Sequence, residues 1–509
     1  MKNKKIRYMV VCLLVSLFTL GSCDTSTLHS LNENPTVAEE LDPGFILAYT
    51  QLQTSGERFE NWRAVLIYQS TMVQHFAALA GYWAGDKYTF NDQYSGSLWA
   101  RAYTNYIKDL VNLVEITDPT VEGQEQWVNY HAIARIWKVF AFHRVTDHYG
   151  DVPYSQAGKG FIEGTFFPSY DPQEEIYLDM LNELEAAAAL LTSDASNPGS
   201  QDLIYGGNVD KWRKFAYSMM LRLGMRMTKV DSDGAQDWVQ QALAGGVMES
   251  NDDICYIEHT DGPEGINRNG IGEVFLWNGQ AFTNDDVSRL SKTFVDWMAG
   301  KSDPRLEKLS WVVNGGPPQG LPNGYDATTI QNFDPNYGEG DDYSRINPLF
   351  VLTSSPMIFQ TYAEVEFLTA EAIERGWANG DAATHYENGV RAAMQMYSLY
   401  DPTLEVDAAD INDYIAANPY DSNSWDQLLG EQYWAATFLN EYEAYANWRR
   451  TGYPELTPVN YPGNESNGTI PRRLRYPLSE RSGNPDAFNE AVNRQGPDQF
   501  TTRMWWDVE

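Results

Sequence analysis

The sequence predicts an all-α body interrupted by one long loop-rich segment. Three observations carry this. Apolar residues recur at helical spacing in successive blocks before residue 250. The stretch 250–355 is crowded instead with Gly, Pro, Asn and Asp. Helical spacing then returns from Tyr362 to about Arg450.

The first blocks are regular. Ile133, Ile136, Trp137 and Phe140 lie at i, i+3, i+4 and i+7, which is one helix face. Tyr177, Met180, Leu181, Leu184, Ala188 and Leu191 form a second such face, and Pro172 suits the start of their helix. Trp212, Phe215, Ala216, Met219 and Leu223 form a third, after the Gly206-Gly207 break. Beyond the loop-rich segment, residues 363–394 read as helix, Gly-containing turn, helix. Ala382 and Tyr386 there have the small-x3-aromatic spacing of a tetratricopeptide repeat. The tail, 453–509, contains several Pro and Gly. It ends in Met504-Trp505-Trp506, which is apolar enough to pack against the body.

The N-terminus has a different character. Lys2, Lys4, Lys5 and Arg7 precede an apolar run, Met9 to Leu20, too short to span a bilayer. Leu20-Gly21-Ser22-Cys23 follows and resembles a bacterial lipobox. Residues 1–22 are therefore expected to be a signal peptide, with lipid attached covalently to Cys23. Acyl chains anchor by burying methylenes at about 0.8 kcal/mol each. Residues 23–41 are polar and aperiodic, which suits a tether, and the body runs from 42 to 509.

Composition narrows the function. The net charge is −34, which argues against nucleic acid as a partner. Of three cysteines, Cys12 leaves with the signal and Cys23 carries the lipid. Cys255 then has no partner for a disulfide or a cysteine-based metal site. Gly300-Lys301-Ser302 ends like a P-loop, but Val295 stands where its first glycine is needed. Gly270-Ile271-Gly272 lacks the third glycine of a dinucleotide loop. No H-E-x-x-H or G-x-S-x-G occurs. Asp334, Asn336 and Gly338 suggest a calcium loop, yet its twelfth position would be Arg345. No catalytic, metal or cofactor site is expected.

The candidate ligand residues are aromatic. Tyr82, Trp83, Tyr88, Tyr94 and Trp99 lie among Gly, Asp and Asn in 81–99, and helical spacing fails over 81–94. Trp277, Trp311, Asn314 and Tyr325 form a second group in the loop-rich segment. An aromatic face covers the C–H side of a sugar ring, and amides and carboxylates bind its hydroxyls. A peptide would use the same surface through its backbone amides.

Six segments resemble the SusD/RagB family of nutrient-binding lipoproteins, its SusD-like branch in particular. They are TDHYGDVPYSQA (146–157), PSYDPQEEIYLDMLNELEAA (168–187), DLIYGGNVDKWRKFAYSMMLRLGMR (202–226), TYAEVEFLTAEAIERGWANGDAATHYENGV (361–390), NEYEAYANWRRTGYPEL (440–456) and RRLRYPLSE (472–480). The resemblance implies an all-α fold: a tetratricopeptide-like helix-pair superhelix with an irregular loop-rich region packed on it. The scaffold would comprise about 42–249 and 356–452, the ligand region 250–355. It also implies an outer-membrane lipoprotein facing outward. Such a protein binds an oligosaccharide or peptide and acts as the lid of a SusC-like TonB-dependent outer-membrane barrel. The matched residues suit structural roles: Asp147, Gly150, Asp151 and Pro153 a turn, and Glu371, Arg449 and Arg450 ion pairs or caps. An extracytoplasmic glycoside hydrolase and a structural or adhesion lipoprotein are the alternative classes.

Overall fold

The computed structural model describes residues 41–263, 265–282, 287–338 and 340–509. The signal peptide, the lipobox with Cys23 and residues 24–40 of the tether lie outside the described residues.

From Pro43 onward the chain is a succession of helices that pack on their sequence neighbours. Val128–Tyr149, Gln173–Leu190, Val209–Arg226 and Ser232–Gly245 follow one another in this way. Tyr362–Glu374, Ala382–Gln395, Trp425–Ala436 and Glu441–Thr451 form the second run. Their starts are written in the sequence. Asn208 accepts hydrogen bonds from the Asp210 and Lys211 amides. Thr361 and Glu364 form a reciprocal capping box. The repeat-like hairpin closes tightly at Gly389, where a Cβ would stand 2.5 Å from the Phe367 ring. A small residue there lets the paired helices touch.

The two runs are joined by a buried charge network. Arg222 Nη2 donates to Glu364 Oε2 at 2.6 Å, and Arg226 Nη2 to Glu443 Oε2 at 2.6 Å. The Tyr433 hydroxyl donates to Glu443 at 2.7 Å and Glu364 at 3.0 Å. Arg226 also lies 3.5 Å from Asp147, which accepts the Tyr177 hydroxyl. The 146–157 motif is thus partly a turn and partly this network. Gly150 makes the turn with φ +83°, but Asp147 is helical and fully enclosed. Arg450 and Glu371 form the expected pair, bidentate at 2.7 and 2.8 Å. Arg449 instead donates to the Asp147, Tyr445 and Arg472 carbonyls. Its guanidinium lies over Trp506, which is buried with Met504 as expected, while Val508 and Glu509 stay exposed.

The loop-rich segment is tied down by short strands. Antiparallel β1 (Phe76–Ala78) and β3 (Ser288–Leu290) pair, as do β2 (Cys255–Ile257) and β6 (Met357–Gln360), and β4 (Ser310–Trp311) and β5 (Arg345–Ile346). The first two pairs bind it to the scaffold. Helices also lie where sequence periodicity gave none, among them Lys292–Gly300, capped by Ser291, and Pro485–Gln495 in the tail. No helix among the described residues is long and apolar enough to cross a membrane.

Candidate ligand-binding surface

The second aromatic group is an assembled structure. The short helix Gly270–Phe275 ends at Leu276, whose left-handed backbone (φ +42°) swings the chain outward. Trp277 follows, then a turn in which the Asn278 side chain accepts from the Gln280 and Ala281 amides. Phe282 closes it. Trp277, Phe282 and Trp311 then meet edge-to-face, with centroids 4.9 to 5.6 Å apart. Phe282 is buried, whereas both tryptophans are partly exposed. Stacked and tilted rings continue inward from Phe282 through Phe275 and Phe76 to Phe438. The platform is therefore rooted in the core. Past Trp311 the chain turns, and Asn314 Nδ2 donates to Asp342 Oδ1 at 2.9 Å.

A second patch borders the same short helix. Phe59, Trp62, Tyr82 and Tyr94 form a ring cluster centred on Trp62, with centroids 5.8 to 6.3 Å from it. Phe59 and Tyr82 are about two-fifths exposed, at 40% and 39%. The Arg63 guanidinium stands 4.8 Å from the Phe59 ring and 5.8 Å from the Tyr94 ring. Helix Gly270–Phe275 packs on Arg58–Glu60 and on the wide-turn helix Asn61–Ser70 that carry this patch. A cationic, aromatic patch is notable in a chain of net charge −34.

Four of the sequence-predicted residues fall elsewhere, three of them in the core. Trp83, Tyr88 and Trp99 are core residues at 0%, 1% and 6% exposure, so no ligand reaches them. Trp99 sits among Tyr103, Tyr149, Tyr170 and Tyr476. The Tyr88 hydroxyl accepts from the Val459 amide. The loss of helical spacing over 81–94 suggests an exposed loop. Gly85 in fact permits close approach, since a Cβ would come within 2.2 Å of the Ile67 carbonyl. Lys87 then pins the loop inward, donating to the Ala78 carbonyl at 2.8 Å. Tyr82 and Tyr94 stay at the surface. Tyr325 packs on Phe333 and lines a different cleft. Sequence reasoning missed Phe59, Trp62, Arg63 and Phe282. The i, i+3, i+4 spacing of the first three could have marked them as one helix face.

Glu60 is buried in the same short helix that carries Phe59. Burial, opposed by the Tyr442 hydroxyl bond, lifts its pKa from 4.5 to about 7. A raised carboxyl pKa means stability is full below about 4.5 and declines as pH rises through about 7. Glu60→Gln is expected to remove this decline. Denaturant titrations should show the variant equal to wild type near pH 4 and more stable above pH 7. Parallel curves across that range would mean that Glu60 keeps the ordinary glutamate pKa in the folded chain.

A rigid helical scaffold that displays rooted aromatic rings on its loops is the architecture of a binding protein. The comparisons give the same class. Residues 35–477 match the SusD-like family described as starch-binding and associating with the outer membrane. A chitin-binding protein of solved structure is 33% identical, with a TM-score of 0.82 over 92% of this chain and 100% of that one. A SusD homologue from Bacteroides uniformis is 26% identical, with a TM-score of 0.76 over 92% and 100% of the two chains. A chitin-binding SusD homologue from Flavobacterium johnsoniae is 25% identical, with a TM-score of 0.75 over 92% and 98%. No curated protein matches. The chain belongs to the SusD-like family, whose members associate with the outer membrane.

Proposed function

We infer that this chain captures a saccharide at the outer face of the outer membrane and hands it to a SusC-like TonB-dependent barrel. It acts there as the barrel's lid, held by lipid on Cys23, and carries out no chemistry on its cargo. The observation that carries the saccharide reading is the Trp277–Trp311 platform, two partly exposed indoles on a base rooted in the core. Sugars present C–H faces that such rings cover. The family description and the two chitin-binding relatives support saccharide over peptide.

Calorimetry with tetra-N-acetylchitotetraose and with maltoheptaose tests this directly. Saturable binding of one of them, with the oligosaccharide recovered intact, is expected. Recovered fragments would instead make the protein a hydrolase, and no binding of either would overturn the saccharide reading.

One surface feature supports a protein partner. Phe161, Phe166 and Phe167 are 101%, 73% and 73% exposed on a single loop, a concentration of apolar surface that marks interaction sites. A tagged chain is expected to sediment with outer membranes and to co-purify a barrel. Cys23→Ser should release it from the membrane. Phe161→Ser with Phe166→Ser should lower recovery of the barrel while leaving saccharide affinity unchanged. Full recovery of the barrel would take this loop out of the interface.

A further inference from the structure

The cleft that holds Tyr325 is not part of the platform. It has a volume of about 570 Å³, within the range of small-molecule sites. Three segments wall it: the start of helix Lys292–Gly300, the 322–329 loop and the 457–462 loop. Gln74 joins two of them at the base. It donates to the Thr457 carbonyl at 2.6 Å and accepts from the Thr293 hydroxyl at 2.5 Å. Its own backbone is left-handed, with φ +58°. That conformation is costly for a residue with a side chain and is held only where surrounding contacts impose it. The walls are therefore fixed relative to one another.

The lining chemistry is selective. Tyr325 and Tyr461 supply rings, and Pro322, Pro458 and Pro462 supply rigid C–H surface. The Tyr461 hydroxyl is oriented by donation to Asp326 at 2.8 Å. Asn323, Thr329 and Asn460 add short neutral polar groups. Among the described residues that line it, Lys292 and Asp296 carry charge, and they are paired with each other. In so acidic a protein, the cleft has a lining that sums to zero charge, with the adjoining Asp326 carboxylate already bonded by Tyr461, Thr328 and Thr329. It suits an uncharged ligand with both C–H faces and hydroxyl or amide rims.

We propose that this cleft is a second saccharide site, independent of the Trp277–Trp311 platform and taking a neutral sugar unit. It rests on the saccharide reading above. A second point of attachment lets one chain hold a long polymer at two places, raising avidity without any new contact at the platform.

The test uses the detergent-solubilised full chain and tetra-N-acetylchitotetraose. The cleft contains no tryptophan, so fluorescence quenching reports the platform, while calorimetry counts every site. Two sugars per wild-type chain by calorimetry are expected. Trp277→Ala with Trp311→Ala should abolish the quenching and leave one site. Adding Asn460→Ala should weaken that remaining site at least about tenfold, the effect of losing about 1.4 kcal/mol. Asn460 is exposed, so this substitution leaves the fold intact. If the tryptophan variant releases no heat, the cleft is not a site and the saccharide reading stands. If wild type binds neither this sugar nor maltoheptaose, both readings fall together.

Discussion

Replacing Trp277 and Trp311 together with alanine is expected to reduce saccharide affinity at the platform by about a hundredfold or more. Each indole contributes on the order of 1.4 kcal/mol or more when it stacks at the centre of a site, and two such losses multiply to that factor. The single variants should not add simply. The two rings meet edge-to-face at 4.9 Å and share Phe282, so removing either frees the other to reorient. Phe282→Ala tests the same point from below. It touches the ligand little, being buried, yet it should lower affinity by loosening both indoles. Arg63→Ala, in the neighbouring patch, should lower affinity only if the bound oligosaccharide crosses helix Gly270–Phe275. Trp83→Ala is the control. It deletes a fully buried indole and should cost about 3–5 kcal/mol of stability while leaving affinity unchanged wherever the chain stays folded. Quenching and calorimetry on folded protein separate these effects. An intact double variant that binds as wild type does would remove the platform from the site.

The contrast between Trp83 and Trp277 says what the sequence could convey. Long helices were legible because their burial is periodic, as at Trp212, Phe215 and Met219. Cap residues such as Asn208 and Thr361 sharpened their starts. Helix Lys292–Gly300 was not legible, since it is short and embedded among glycines and prolines. Its apolar residues serve a local core of Phe294, Trp434 and Phe438 that forms only on folding. The site was half legible for a related reason. Aromatic residues in a glycine-rich segment fit either an exposed platform or a loop pressed onto a helix, and spacing does not separate the two. What separates them is long-range: Gly85 lies on the Ile67 backbone, whereas Trp277 is turned outward by Leu276. Asn314 illustrates a further limit. Its residue type suggested a hydroxyl ligand, but its amide is held by Asp342, twenty-eight positions away.

A stability effect as large as that of Trp83→Ala is expected at Glu443. This carboxylate is buried and accepts from Arg226 at 2.6 Å and from Tyr433 at 2.7 Å, with Arg222 Nε 3.4 Å away. Burial works against its charge, but Arg222 and then Arg226 outweigh that and hold its pKa below the ordinary glutamate value. Glu443→Gln keeps the shape and removes the charge. It leaves Arg226 buried with only Asp147, 3.5 Å away, to balance it. Breaking a buried pair from one side costs about 3–5 kcal/mol, because the remaining ion has lost both water and partner. Equilibrium denaturation should show that loss at pH 7. The pH dependence gives an independent check. A depressed carboxylate pKa contributes stability that is present above about 4.5 and lost as pH falls, so the variant's deficit should shrink in acid. Arg226→Met combined with Glu443→Leu removes both charges and should recover part of the loss. A Glu443→Gln deficit below about 1 kcal/mol would mean that the hub is solvated, and the two helix runs would then be held by apolar packing alone. Glu443 lies far along the chain from Trp277, but its helix belongs to the scaffold that roots the platform. If the hub's role is to fix that scaffold, the folded variant should bind saccharide with unchanged affinity and unfold at lower denaturant.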